Sequence, residues 1–173
     1  MRKVTIGLLL AAVLIVAADR AYIHWHSAMP QVPLVIGTAE GPVQLTVEVA
    51  STRSQQEQGL MYRKSLAPNA GMLFDLHREM LVGFWMKNTL IPLDMIFING
   101  NGTIILVVAN AKPLSLQLMG SRKPVRAVLE IAGGRAAALG IERGDRVKGS
   151  IFGQAPPSVD RQGGASPYPD SKK

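Results

Sequence analysis

Residues 93–109 read LDMIFINGNGTIILVVA. Two strongly β-prone runs, 93–98 and 103–109, flank Asn99-Gly100-Asn101-Gly102. Asn-Gly supplies the positive φ that a tight strand connection needs, so the stretch predicts a β-hairpin. Both runs are apolar at odd and even positions alike, which predicts two strands in the middle of a sheet, covered on both faces. One charged residue interrupts them. Asp94 shares a strand face with Ile96 and Ile98.

Outward from the hairpin the pattern stays β. Residues 125–131 alternate and carry a second carboxylate, Glu130, in an apolar run. Residues 43–50 place Val43, Leu45, Val47 and Val49 on one face and Gln44, Thr46 and Glu48 on the other, the mark of a half-buried strand. Strands are also expected over 71–76, 83–89 and 146–152, with an edge strand at 34–36 and a polar loop over 75–79. Two short helices interrupt them. Thr52 and Gln55 have capping-box spacing and Gly59 is a natural stop. The second helix is the Ala-rich stretch 133–139, closed by Gly140. Many short strands with turns between them predict a mainly β chain, a β-sandwich or small barrel with two short helices.

The ends read differently. Arg2 and Lys3 precede an uncharged run over 4–18, and Val16-Ala17-Ala18 offers small residues to a signal peptidase. That is the three-part pattern of an export signal. The run is shorter than the roughly 20 residues of a spanning helix. Cleavage after Ala18 is therefore expected over an uncleaved N-terminal anchor. Residues 19–41, with Pro30 and Pro33, read as a tether, 42–152 as the β domain, and 153–173, rich in Pro and Gly, as a disordered tail. The expected location is the periplasmic or extracellular face of the membrane. Contact with the bilayer is expected only through the N-terminal segment, if that is retained.

Composition narrows the chemistry. The 173 residues include no Cys and three His, with a net charge of +7. Without Cys there is no disulfide framework, thiolate metal site or Cys nucleophile. The basic residues are scattered; the densest group, Arg122, Lys123 and Arg126, is too small for a nucleic-acid stripe, so no nucleic-acid partner is expected. His24-Trp25-His26 supplies only two ligands, too few for a zinc or copper shell, and the methionines show no repeated close pairs. No metal and no cofactor are expected. His77 stands alone without a nucleophile signature.

Five segments then suggest a family: GLMYRKSL (59–66), GMLF (71–74), FWMKNTLIPLDMIFI (84–98), AVLEIAGG (127–134) and LGIERGDRV (139–147). Together they resemble the DUF192 family over roughly 47–148. The resemblance implies a compact β-rich domain of jelly-roll-like type, in bacteria often behind a signal sequence. It implies no activity.

Candidate site residues come from the chain itself. On an extended strand Trp85, Lys87 and Thr89 would share one face, with Asn88 next to them. An aromatic plate, a cation and a hydroxyl suit a sugar, an anion or a peptide carbonyl. Asp94 and Glu130 are costly in apolar strands unless paired, and Lys87, Arg63 and Arg126 are the available cations. The leading expectation is a non-enzymatic binding or accessory module of the cell envelope, built on Trp85, Lys87, Asn88, Thr89, Asp94, Glu130 and Arg63. Its ligand would be a small polar molecule, a glycan or an envelope-protein segment. One alternative is a glycan-directed hydrolase using Asp94 and Glu130 as paired carboxylates. The other is an interaction module that offers a sheet edge to a protein.

Overall fold

The computed structural model describes residues 29–153. Seven strands form a single sheet: β1 (Gln31–Thr38), β2 (Gly41–Ala50), β3 (Ala70–Met80), β4 (Leu93–Ile98), β5 (Ile104–Ala111), β6 (Val125–Ala132) and β7 (Arg146–Lys148). Two short helices, α1 (Arg53–Gln58) and α2 (Arg135–Ala138), and a 3₁₀ turn (Ser150–Phe152) complete the described residues. The order across the sheet is β5-β4-β6-β3-β2-β1-β7. All pairings are antiparallel except β2 with β3, which run parallel across the α1 connection.

The sheet curls into a half-barrel, and its two outer strands meet at one end. The Ile104 N–H donates to Asp145 O at 2.9 Å, and the Val147 N–H donates to Gly102 O at 2.7 Å. Gly102 makes this approach possible at φ 85°, with the Val147 carbonyl where a Cβ would sit. Leu34, Ile36, Leu73, Ile96, Ile98, Ile104, Leu129, Ile131 and Val147 pack in one cluster. Because that cluster joins residues from both outer strands, it lies on the enclosed face of the curl. The alternate residues Met72, Phe74, Met95, Phe97 and Val128 turn to the other face and form a second core with Leu60 and Met86. Strand alternation therefore sends β4 and β6 side chains into two separate cores.

The mainly β architecture with two short helices is the one the sequence predicts, and the hairpin forms with β4 over Leu93–Ile98. Several local expectations need correction. β5 is an outer strand, not a central one. Its apolar residues from Ile105 to Val108 are only partly buried, so residues apolar on both faces do not guarantee a neighbour on both sides. The strand expected at the edge over 34–36 runs over Gln31–Thr38 and lies between β2 and β7. It draws part of the expected tether into the sheet. The expected polar loop over 75–79 belongs to β3, with a register shift against β6 between Asp75 and Met80 and His77 at φ 61°. The strand expected over 146–152 stops at Lys148 and passes into the 3₁₀ turn. The expected strand over 83–89 is irregular. Among the described residues it forms one isolated β-bridge, between Phe84 and Met119, and pairs with no strand of the sheet. The expected export signal and the tail beyond Gly153 lie outside the described residues.

Candidate functional site

On the second core's side of the sheet lies a groove of about 590 Å³. Its walls come from α1 and its exit (Gln56, Gly59, Leu60), from β3 (Phe74, Leu76), and from the irregular segment 82–89; Glu130 of β6 also lines it. α1 is placed by its N-terminus. Thr52 accepts from the Gln55 N–H while the Gln55 side chain accepts from the Thr52 N–H at 3.0 Å, a reciprocal capping box. Gln56 Nε2 then donates to Asp75 O at 2.7 Å and pins the helix to β3. At the helix exit a Cβ on Gly59 would lie 3.2 Å from the Phe74 ring, so a bare backbone lets the chain turn close over this wall. Phe74 and Phe84 meet edge to face at 4.9 Å and make the aromatic wall.

Segment 82–89 is held by an antiparallel neighbour rather than by the sheet. Phe84 exchanges two 2.8 Å backbone bonds with Met119, and the Met86 N–H donates to Ser115 O at 2.9 Å. Asn88 then takes φ 56°, and the Thr89 N–H folds back onto Met86 O at 3.1 Å. This turn ends the period-two alternation on which the expected common face rested. Trp85 and Lys87 remain on the exposed side, with Lys87 Nζ 5.3 Å from the centre of the Trp85 ring. Thr89 is buried, and its hydroxyl donates to Lys87 O at 3.3 Å. Asn88 donates through Nδ2 to the Tyr62 hydroxyl at 2.8 Å, which fastens the segment to the loop after α1.

The two carboxylates have opposite surroundings. Glu130 is 4% exposed and lines the groove, and none of the hydrogen bonds or ion pairs among the described residues involves its side chain. Its register partners Met72 on β3 and Met95 on β4 are apolar. Burial pushes its carboxyl up to about 8. At neutral pH it is therefore a largely protonated acid, able both to donate and to accept a hydrogen bond. Asp94 is fully buried and accepts three backbone N–H groups: Asn110 at 2.8 Å and Gly134 at 3.0 Å on Oδ1, and Ala136 at 2.7 Å on Oδ2. It ties β4 to the end of β5 and to the start of α2.

The expected pairing of Asp94 with Glu130 is not present. Asp94 stands opposite Ile131 and Glu130 opposite Met95, one register step apart. Ile131 belongs to the enclosed core and Met95 to the other, so the two carboxylates project from opposite faces of the sheet. They cannot flank one bond of a substrate in the way glycoside hydrolysis requires. Arg63 also leaves the cluster. It forms a two-pronged pair with Glu48, at 2.8 and 2.5 Å. Arg126 is paired with Asp75. Burial disfavours the Asp75 anion, but Arg126 and the His77 backbone N–H outweigh it and hold this carboxyl below its ordinary value. Of the sequence candidates, the groove gathers Trp85, Lys87, Thr89 and Glu130. It leaves Asn88 as a brace and Asp94 and Arg63 in structural bonds. Sequence reasoning missed Phe74, Phe84, Gln56 and Leu60 as groove walls. The closeness of Gly59 to Phe84's stretch of the chain through Phe74 is a long-range fact, and only the helix stop at Gly59 was visible locally.

Fold and site define a mainly β half-barrel with a single-sided groove around a buried acid. The chain belongs to the DUF192 family, described as "Uncharacterized ACR", whose model matches residues 35–149. Several solved structures are similar, two of them as follows. One, from Sinorhizobium meliloti 1021, is named a "putative transcription regulator"; it is 46% identical, with 71% of this chain and 96% of that one covered at a TM-score of 0.69. Another, a protein of unknown function from Novosphingobium aromaticivorans DSM 12444, is 38% identical, covering 71% of this chain and 88% of that one, also at 0.69. No curated protein matches the chain.

Proposed function

We propose that the chain is an exported binding module of the cell envelope whose groove takes a small ligand with an apolar or ring-shaped body and one hydrogen-bonding group. The observation that carries this reading is Glu130, buried and unpartnered among the described residues, on the wall of a groove of about 590 Å³. A polar group that costs burial energy and gains no bond from the described residues is the kind of group that a ligand satisfies. The groove volume suits a small molecule, and Phe74, Phe84 and Trp85 supply flat apolar surface for its body. Lys87 and Trp85 stand at the exposed rim. The envelope part rests on Arg2-Lys3, the run 4–18 and Val16-Ala17-Ala18.

Thermal melts of the full chain against monosaccharides, disaccharides, amino acids and primary amines test the groove. At least one class is expected to raise Tm, since a ligand bound only to the folded state stabilises it. Glu130→Met and Trp85→Ala should remove that rise. The same rise in both variants, or none with any probe, would refute the reading. The pH dependence then tells the ligand type. An acceptor group binds the protonated acid and weakens above about pH 8, whereas an ammonium group tightens there. For export, cell fractionation with N-terminal sequencing should find the mature chain starting at Asp19; Met1 intact in the soluble cytoplasm contradicts it.

A further inference from the structure

Beside the groove, two antiparallel segments present an unusual surface. Segments 81–92 and 112–124 are joined by the Phe84–Met119 and Met86–Ser115 bonds, and by the Leu114 N–H donating to Thr89 O at 3.1 Å. A Cβ on Gly83 would lie 3.4 Å from the Leu118 side chain, so the two segments are in close contact along their length. From this ribbon Leu81, Leu114, Leu116 and Leu118 stand 59–67% exposed, with Trp85 and Leu90 nearly half exposed. Soluble surfaces carry single exposed leucines, but a contiguous set on one ribbon marks an interaction site.

The charges on the same ribbon say which kind. Across 81–92 and 112–124 there is no Asp or Glu, while Lys87, Lys112, Arg122 and Lys123 are all exposed. Exposed leucines and cations on one ribbon that carries no carboxylate, with an exposed tryptophan among them, match an anionic lipid surface: the leucines enter the acyl region, the ring sits at headgroup depth and the cations meet lipid phosphates.

We propose that the ribbon formed by 81–92 and 112–124 docks the domain onto an anionic bilayer surface, with Leu81, Leu114, Leu116 and Leu118 inserted and Lys87, Lys112, Arg122 and Lys123 on the headgroups. This surface is independent of the N-terminal run, and it directs the rim of the groove, through Trp85, toward the lipid.

The chain has two tryptophans, so Trp25→Phe leaves Trp85 as the only reporter in the full-length protein. The probes are vesicles of phosphatidylcholine alone, or with about one third phosphatidylglycerol, some carrying brominated acyl chains. Trp85 emission should shift to the blue and be quenched by bromine on the anionic vesicles, and the effect should fade with added salt. Leu116→Ser with Leu118→Ser should weaken partitioning by about tenfold or more, as expected when inserted apolar area is removed. Both residues are exposed, so folding should persist. Lys112→Gln with Arg122→Gln and Lys123→Gln should weaken binding to anionic vesicles alone. Protein that binds vesicles while Trp85 stays unquenched overturns the proposal, because the N-terminal run then does all the binding. Quenching indifferent to lipid charge overturns it too. A blue shift without lipid that grows with protein concentration assigns the surface to a second copy of the chain instead, and also overturns it.

Discussion

Three backbone amides converge on the Asp94 carboxylate, and none from the described residues reaches Glu130. That difference sets what each substitution does. Asp94→Ala strands the Asn110, Gly134 and Ala136 N–H groups at a fully buried position. Each unsatisfied donor costs about 1–3 kcal/mol, so a loss of about 3–5 kcal/mol is expected. Asp94→Asn should cost nearly as much, because one carbonyl oxygen cannot replace two acceptors and the amide would point a donor at a donor. Urea unfolding measures both, and an Asn variant within about 0.5 kcal/mol of the parent would show that Asp94 does not lock these elements together. The sequence made it plain that a carboxylate in so apolar a strand needs partners. It could not name them, since they lie 16, 40 and 42 residues further along and are peptide groups, which every residue carries. Nor could it separate Asp94 from Glu130. Each interrupts an apolar strand, and only the register between β4 and β6 shows that they face different cores. Lys87 and Arg63 looked equally available as cations for the same reason. Arg63 is taken by Glu48, a residue 15 positions away that no local pattern linked to it.

Elements governed by short-range rules were legible. The Thr52/Gln55 capping box forms as read, with Gly59 as its C-cap at φ 49°, and the Asn-Gly connection closes β4 onto β5. Those features depend on residues within a few positions, where propensity and side-chain hydrogen bonding decide. The failures are elements whose shape is set from outside. Segment 83–89 has the composition of a strand, but its partner is the loop around Ser115–Met119, and the turn at Asn88 breaks its alternation. β5 has the composition of a central strand, yet it ends the sheet and is covered at one end by the chain around Asp145. The capping box also carries a consequence for the groove. α1 has only six residues and no buried side chain, so it depends on its cap and on Gln56 to stay against β3. Thr52→Ala should therefore cost about 1 kcal/mol of stability, the ordinary value of an N-cap, and should loosen the groove wall first. Hydrogen exchange can check this. The Gln55 and Gln56 amides should lose protection while β4 and β6 amides keep theirs, and uniform loss across the sheet would show that α1 and the sheet open as one unit.

At the scale of the whole molecule, the half-barrel holds two titrating carboxyls that bias stability in opposite directions with pH. Glu130 rises from its ordinary 4.5 to about 8 in the folded chain. Between those values the folded state keeps a proton that the unfolded state has lost, so stability falls as pH rises, by about 1.4 kcal/mol per unit for one proton. The full stabilisation is present below about 4.5 and is gone once pH has passed about 8. Asp75 works the other way. Its folded carboxyl lies below its ordinary 3.8, because Arg126 and the His77 N–H outweigh the cost of burial, so its contribution is present above about 4 and is lost as pH falls further. The other charged groups around the groove change this little: Arg53 and Glu57 pair with each other at 2.8 Å on the exposed face of α1, and Lys87 is exposed at the rim. Without ligand, the melting temperature should therefore be highest in mildly acidic solution and decline steadily toward pH 8. Glu130→Gln keeps the shape and hydrogen-bonding capacity of the protonated acid but cannot ionise. Its melting profile should be flat from about pH 5 to 9, close to the parent at pH 5 and clearly above it at pH 9, while both chains still lose stability below pH 4 through Asp75. A variant more stable than the parent at high pH would mark Glu130 as a residue kept at a cost to folding, as binding sites commonly are. Parallel profiles for the two chains across pH 5–9 would show instead that Glu130 titrates alike in the folded and unfolded states, and the buried acid of the groove would then have to be solvated.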